Sequence, residues 1–161
     1  MVNLVIWLSG YLVIDWDIGT GFARQLRMSE QSEALKERTM SFAVSVLQLI
    51  DTFPRTTASD VIARQLAKRA TSVAANYRSA CTARSRQEFV ARLGVVVEEA
   101  DESVYWLDLI VRTRISGVEV PALRDEAGQL RAIFSRSIGT ARANLRANWA
   151  RPPKSPNPIT R

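Results

Sequence analysis

The sequence predicts an all-α protein, folded as an up-down-up-down antiparallel four-helix bundle. Three observations carry that expectation. Apolar residues recur at spacings of three, four and seven along four successive stretches, the spacing at which side chains share one helix face. Start and stop signals divide those stretches from one another. The chain between them is almost free of helix breakers: four of its six prolines come only after Trp149.

The first stripe is Leu35, Phe42, Val46, Leu49 and Phe53, and its helix stops before Pro54. Thr57 with Asp60 three residues on reads as the next helix start, because a carboxylate there can serve exposed backbone N–H groups. Ile62, Leu66, Ala70, Val73, Tyr77 and Ala80 form the second stripe. Ser85 and Glu88 have the S-x-x-E form of a capping box and open a third helix, with Phe89, Leu93, Val96, Ala100, Val104, Leu107 and Val111 on its inner face. Gly117 is its predicted end. Pro121 sits in the first turn of a fourth helix, where a missing N–H costs nothing. That helix carries Leu123, Ala127, Leu130, Phe134, Ile138, Ala141 and Leu145. Short connections force neighbouring helices antiparallel. The bundle is thus expected over residues 29–150.

The two ends read differently. Residues 1–28 include the apolar but interrupted stretch from Met1 to Ile14, followed at once by Asp15 and Asp17. That is too short for a membrane span and lacks the basic start of a secretory signal. It reads as an upstream extension with Met28 the natural start; the alternative is a strand-like arm that covers apolar surface. Residues 151–161, RPPKSPNPITR, read as a solvated, disordered tail.

Composition excludes several kinds of chemistry. The chain of 161 residues has no histidine and one cysteine. The commonest general base is therefore missing, as are histidine-containing triads and thiolate zinc clusters. Gly19-Thr20-Gly21 lacks the lysine and helix context of a phosphate-binding loop. No enzymatic activity, cofactor, metal or small-molecule substrate is expected. Cys81 falls in a helical pattern and reads as a small packing residue; a lone cysteine suits a reducing, cytoplasmic setting.

Charge is distributed unevenly. From Arg55 to Arg86 seven basic residues oppose Asp60; from Gln87 to Ile110 six acidic residues oppose Arg92. If helices two and three fold back near Ser85, Arg69 faces Asp101 and Glu102, Ser72 faces Glu98, and Asn76 faces Gly94. A structural polar seam of Arg69, Ser72, Asn76, Glu99 and Glu102 follows, with Asn76 needing a partner in mid-helix and Gly94 small enough for close helix approach. Glu98, Glu99, Asp101 and Glu102 could instead ligate metal, but bundle carboxylate sites usually pair glutamates with histidines, which this chain lacks.

The same residues carry a family likeness. RQLAKRATSVAANYRSACTARSRQEFVARLGVVVEEADES resembles the four-helix-bundle protein family encoded in bacterial 23S rRNA intervening sequences. The family's Arg-x-x-Ser-x-x-x-Asn pattern is matched by Arg69, Ser72 and Asn76, its arginine-serine turn and phenylalanine by Arg84, Ser85 and Phe89, and its acidic third helix by Glu98, Glu99 and Glu102. Many members carry Glu-Gly just after the asparagine, where this chain has Arg78 and Ser79, a more basic variant. The resemblance implies a homo-oligomer, typically a five-fold ring, without established enzymatic activity. It is also similar to the accessory variability determinant of diversity-generating retroelements, in which a basic ring assists a reverse transcriptase and its RNA.

A net charge of +6 and a pI near 10.2 point to a polyanionic partner. At 100° per residue, Arg124, Arg131, Arg142 and Arg146 fall within about 60° of one another on helix four. Together with Arg84 and Arg86 at the turn, they are the expected nucleic-acid-binding residues, without obvious local partners. The competing expectation is a protein–protein scaffold, or an accessory subunit of a reverse transcriptase that does not touch RNA. Apolar residues outside the stripes, Ala43, Ile50, Val95, Val97, Trp106 and Ile110, are the local argument for a homo-oligomer.

Overall fold

A computed structural model describes residues 21–115 and 120–149, with side chains described from residue 30 to residue 146 within those ranges. Residues 1–20, Gly117 and the tail 151–161 lie outside the described residues. Four helices make up the fold: α1 (Gly21–Asp51), α2 (Thr57–Ala80), α3 (Arg86–Thr113) and α4 (Val120–Trp149). Each helix packs on its neighbours in chain order and α4 closes on α1, the pair in least contact. Cross-helix contacts fix the direction of two pairs. Arg92 reaches Ser79 while Arg69 reaches Glu99 and Glu102, so α2 and α3 run antiparallel. Asp101 meets Arg131 and Asp108 meets Arg124, so α3 and α4 do too.

The helix ends follow local chemistry, with small displacements from expectation. α2 is capped by Thr56 rather than Thr57: its backbone is extended, and its Oγ1 accepts a 3.1 Å hydrogen bond from the Ser59 N–H. Ser85 caps α3 as expected, accepting from the Glu88 N–H at 3.1 Å. Glu88 returns the contact to Arg84 N–H at 2.8 Å, one residue before the usual capping-box partner. α3 ends at Thr113 with Arg114 in the left-handed conformation, φ 54°, several residues before Gly117. α1 begins at Gly21, eight residues ahead of Ser29 and upstream of Met28.

Most stripe residues form the core; Leu35, Phe53, Phe89, Val104 and Leu123 pack against it half-buried, and Leu145 is half-buried outside the cluster. All six stripe residues of α2 are buried, with Leu66, Ala70 and Val73 fully so. Leu93, Val96, Ala100 and Leu107 of α3 meet Ala127, Leu130 and Phe134 of α4 in the same cluster. Tyr77 packs on Phe134, with ring centroids 4.9 Å apart. One stripe residue is misplaced by expectation: Val111 is exposed, and Ile110 takes the last core position of α3. The buried positions Leu93, Val96, Ala100, Ser103, Leu107 and Ile110 keep an unbroken three-four repeat, which puts Ile110 and Ser103, not Val111 and Val104, on the inner seam. Buried hydroxyls return their hydrogen bonds to their own helix: Thr39 to Lys36 O, Ser103 to Glu99 O, Ser137 to Ile133 O.

The apolar residues taken as evidence of association are largely used within the subunit. Ala43 and Ile110 are buried, and Ile50, Val97 and Trp106 pack against the core; only Val95 stands exposed. The exposed apolar surface lies elsewhere, chiefly at Met40, Val44 and Leu47 of α1 and Tyr105 of α3.

Candidate nucleic-acid interface

The acidic face of α3 is held from two sides. Towards α2, Arg69 inserts between two glutamates: its Nη1 donates to Glu99 at 3.2 Å, and its Nε lies 2.6 Å from Glu102 Oε2. The second contact is an ion pair and not a well-aligned hydrogen bond, since the buried Nε–H points at no acceptor. Towards α4, Asp101 accepts from Arg131 and Asp108 accepts from Arg124 Nε at 2.8 Å. Asp101 therefore turns away from Arg69, which was expected to face it. Glu99 and Glu102 turn towards α2 and Asp101 towards α4, each meeting a guanidinium, so these three do not converge on one point.

The predicted polar seam forms in part. Arg69, Glu99 and Glu102 come together between α2 and α3. Asn76 instead donates within its own helix, to Ser72 O at 2.9 Å, and so finds its partner one turn back. A Cβ added at Gly94 would meet nothing within 4 Å, so close helix approach is not what that glycine provides. The link between α2 and α3 at this end is made by Arg92, which donates to Ser79 and holds Glu88 at 2.7 Å.

The six arginines expected to bind nucleic acid divide into two groups. Arg124 and Arg131 do not lack partners: both are neutralised by α3 carboxylates, and Arg124 also reaches Asp125. Asp108 holds the Arg124 guanidinium more firmly protonated than usual. The cause is register, which no helical projection of α4 alone could show. The paired numbers of α3 and α4 sum to 232 in both ion pairs, so Arg146 stands level with Arg86 and Arg142 level with Val90. Arg142 and Arg146 thus share one end of the bundle with the α2–α3 turn, where Arg84 and Arg86 lie. Arg84, Arg142 and Arg146 are exposed and make no side-chain ion pair among the described residues. Arg86 is half-buried.

One contributor at this end escaped the sequence reading. Arg78, in the last turn of α2, is exposed and makes no ion pair among the described residues. Its signal was the lone basic residue of a helix C-terminus, a position that normally reads as a dipole partner. Beside this surface lies the interior pair Tyr77 and Cys81. Burial pushes the Tyr77 phenol far above its ordinary value and raises the Cys81 thiol as well, so neither supplies a reactive anion. Among the described residues no helix is long and apolar enough to cross a membrane.

Comparison with known proteins agrees with this architecture. A crystal structure of a protein with unknown function from the S23 ribosomal protein family of Bacteroides thetaiotaomicron superposes with a TM-score of 0.61. The two are 27% identical, over 67% of this chain and 97% of the other. No curated protein matches. A model of the 23S rRNA-intervening sequence protein family matches residues 22–136, beginning like α1 upstream of Met28. The chain belongs to the 23S rRNA-intervening sequence protein family.

Proposed function

We propose that the protein is a non-enzymatic, oligomeric bundle that binds RNA or a ribonucleoprotein through the arginines at one end of the bundle. The observation that carries this reading is the separation of charge by register. The acidic helix α3 pairs with Arg69, Arg124 and Arg131, while Arg78, Arg84, Arg142 and Arg146 are exposed at the α2–α3 end without a side-chain ion pair among the described residues, as are Arg55, Arg112 and Arg114 at the other end. Arginine forks suit phosphate oxygens, and contacts of that kind position a protein without reading bases. Association multiplies the effect, because several such ends on one assembly raise the potential felt by a polyanion. The resemblance implies a ring of five. Light scattering at micromolar concentration should return a mass several times 18.0 kDa, and a clean monomer rejects association.

The binding test is fluorescence anisotropy with structured and single-stranded RNA. Counterion release makes log affinity fall linearly with log salt between about 50 and about 300 mM, by about 0.7–0.9 per phosphate neutralised. Replacing Arg84, Arg142 and Arg146 together with Gln should flatten that slope. Replacing Arg124 and Arg131 should leave it nearly unchanged. No binding at low salt by the intact oligomer rejects the reading. The protein–protein scaffold then stands, including its form as a reverse-transcriptase accessory, with exposed Tyr105 and Val95 of α3 as its support.

A further inference from the structure

The outward faces of α1 and α2 carry two lines of side chains that complement each other. On α1, Glu30, Glu33, Glu37, Met40, Val44 and Leu47 are all exposed and keep an unbroken three-four spacing, so they run along one face. On α2, Val61, Arg64, Lys68, Thr71, Ala75 and Arg78 do the same. Met40, Val44, Leu47 and Val61 are 48%, 44%, 42% and 47% exposed. Large aliphatic side chains aligned towards solvent are unfavourable unless something covers them.

Charge says which surface fits which. The polar part of the α1 line is wholly acidic, and its one ion pair among the described residues is Glu33 with Lys36 of the same helix. The charged residues of the α2 line are wholly basic, and Arg64, Lys68 and Arg78 make no ion pair among the described residues. Setting α1 against α1 of a second copy opposes acid to acid, and α2 against α2 opposes base to base. The exposed carboxylates Glu98 and Asp101 make α3 no better a partner for α1. The two lines suit each other.

We infer that the outward face of α1 docks on the outward face of α2 of a second copy, head to tail. The inference rests on the association proposed above and adds which faces meet. α1 ends at Asp51 and α2 begins at Thr57, so residues of the two helices whose numbers sum to about 108 stand at one level. Rotation about an axis parallel to the helices moves nothing along them, and the same register then holds between copies. Leu47 meets Val61, and the stems of Arg64 and Lys68 cover Val44 and Met40 while their charged heads stay at the rim. Lys68 lies within one turn of Glu37, and Arg78 is level with Glu30. A contact between two different faces, repeated by rotation, closes a ring. Every copy in that ring points the same way. Arg84, Arg142 and Arg146 of all subunits therefore gather on one side of it, where a polyanion meets their summed potential.

Light scattering on the full chain without RNA tests the pairing, with circular dichroism to check that each variant stays helical. Lys68→Glu with Arg78→Glu, and separately Glu30→Lys with Glu37→Lys, should each raise the concentration of half-dissociation by at least about tenfold. Combining all four substitutions exchanges the charges and should restore the wild-type mass. All four positions are exposed. Should a double variant unfold, Lys68→Glu rescued by Glu37→Lys is the milder form of the same exchange. Assembly that survives both double variants overturns the inference while leaving association intact, with its contact elsewhere. Dissociation that the combined variant does not repair also overturns it. A wild-type chain that is monomeric at micromolar concentration overturns association itself, and this contact with it.

Discussion

Replacing Tyr77 with Phe removes one oxygen from the centre of the bundle, and the structure sets the direction of the effect. Tyr77 is 1% exposed, its ring lies on Phe134, and its hydroxyl has no well-formed hydrogen-bond partner among the described residues. The main polar group acting on it is the Cys81 thiol one turn later, a weak partner at best. An unsatisfied buried polar group costs about 1–3 kcal/mol, and phenylalanine keeps the ring contact while discarding that cost. Tyr77→Phe should therefore stabilise the protein by about 1 kcal/mol, worth about 3 °C in melting temperature for a chain of this size. The same reasoning governs alkaline pH. Burial raises the folded-state value of this phenol above its unfolded value near 10. Its contribution is whole below about pH 10 and is lost as pH rises above it, at about 1.4 kcal/mol per unit. Urea melts of the wild type and of Tyr77→Phe at pH 8 and pH 11 measure both effects: the variant should be the more stable at each pH, with the gap wider at pH 11. A variant less stable than the wild type by about 1 kcal/mol at pH 8 would refute the reasoning, because the hydroxyl would then have a partner worth that much.

Arg69→Ala should destabilise by about 1–3 kcal/mol in thermal melts, because it leaves Glu99, only 15% exposed, without its guanidinium. Asn76→Ala should change stability by less than about 1 kcal/mol, since Asn76 bonds only to its own helix and alanine is the better helix former; a large loss would restore Asn76 to a cross-helix role. Ser85→Ala should cost about 1 kcal/mol by uncapping α3, read in the same melts. The Arg84 N–H and Arg92 hold the Glu88 carboxyl below its usual range, so its contribution is present above the unfolded value and lost as pH falls through the lower folded one. Glu88→Gln should accordingly flatten the acid limb of the stability–pH curve.

Much of the fold was legible in the chain because it is local. A stripe such as Ile62, Leu66, Ala70, Val73, Tyr77 and Ala80 depends only on 3.6 residues per turn, and all six are buried. The Ser85 cap depends on four consecutive residues and formed where expected. Belonging to the family was legible for a similar reason, in the run from Arg69 to Glu102. The ends that shifted, at Gly21, Thr56 and Thr113, moved without altering the helix order. The candidate site was less legible. A projection of α4 places Arg124, Arg131, Arg142 and Arg146 side by side, yet among the described residues two pair with α3 carboxylates and two make no ion pair. What separates them is the α3 residue standing opposite: Asp108 and Asp101 in one half, Val90 and Arg86 in the other. Arg78 joined the free group for the same reason, by sharing an end with residues far from it in sequence. Periodicity, caps and composition were determined by the chain alone, because each depends on neighbours within about one helical turn. Which charges cancel, and which apolar side chains remain uncovered, was decided by the tertiary structure, because both depend on the register between helices whose facing residues are 13 to 91 positions apart.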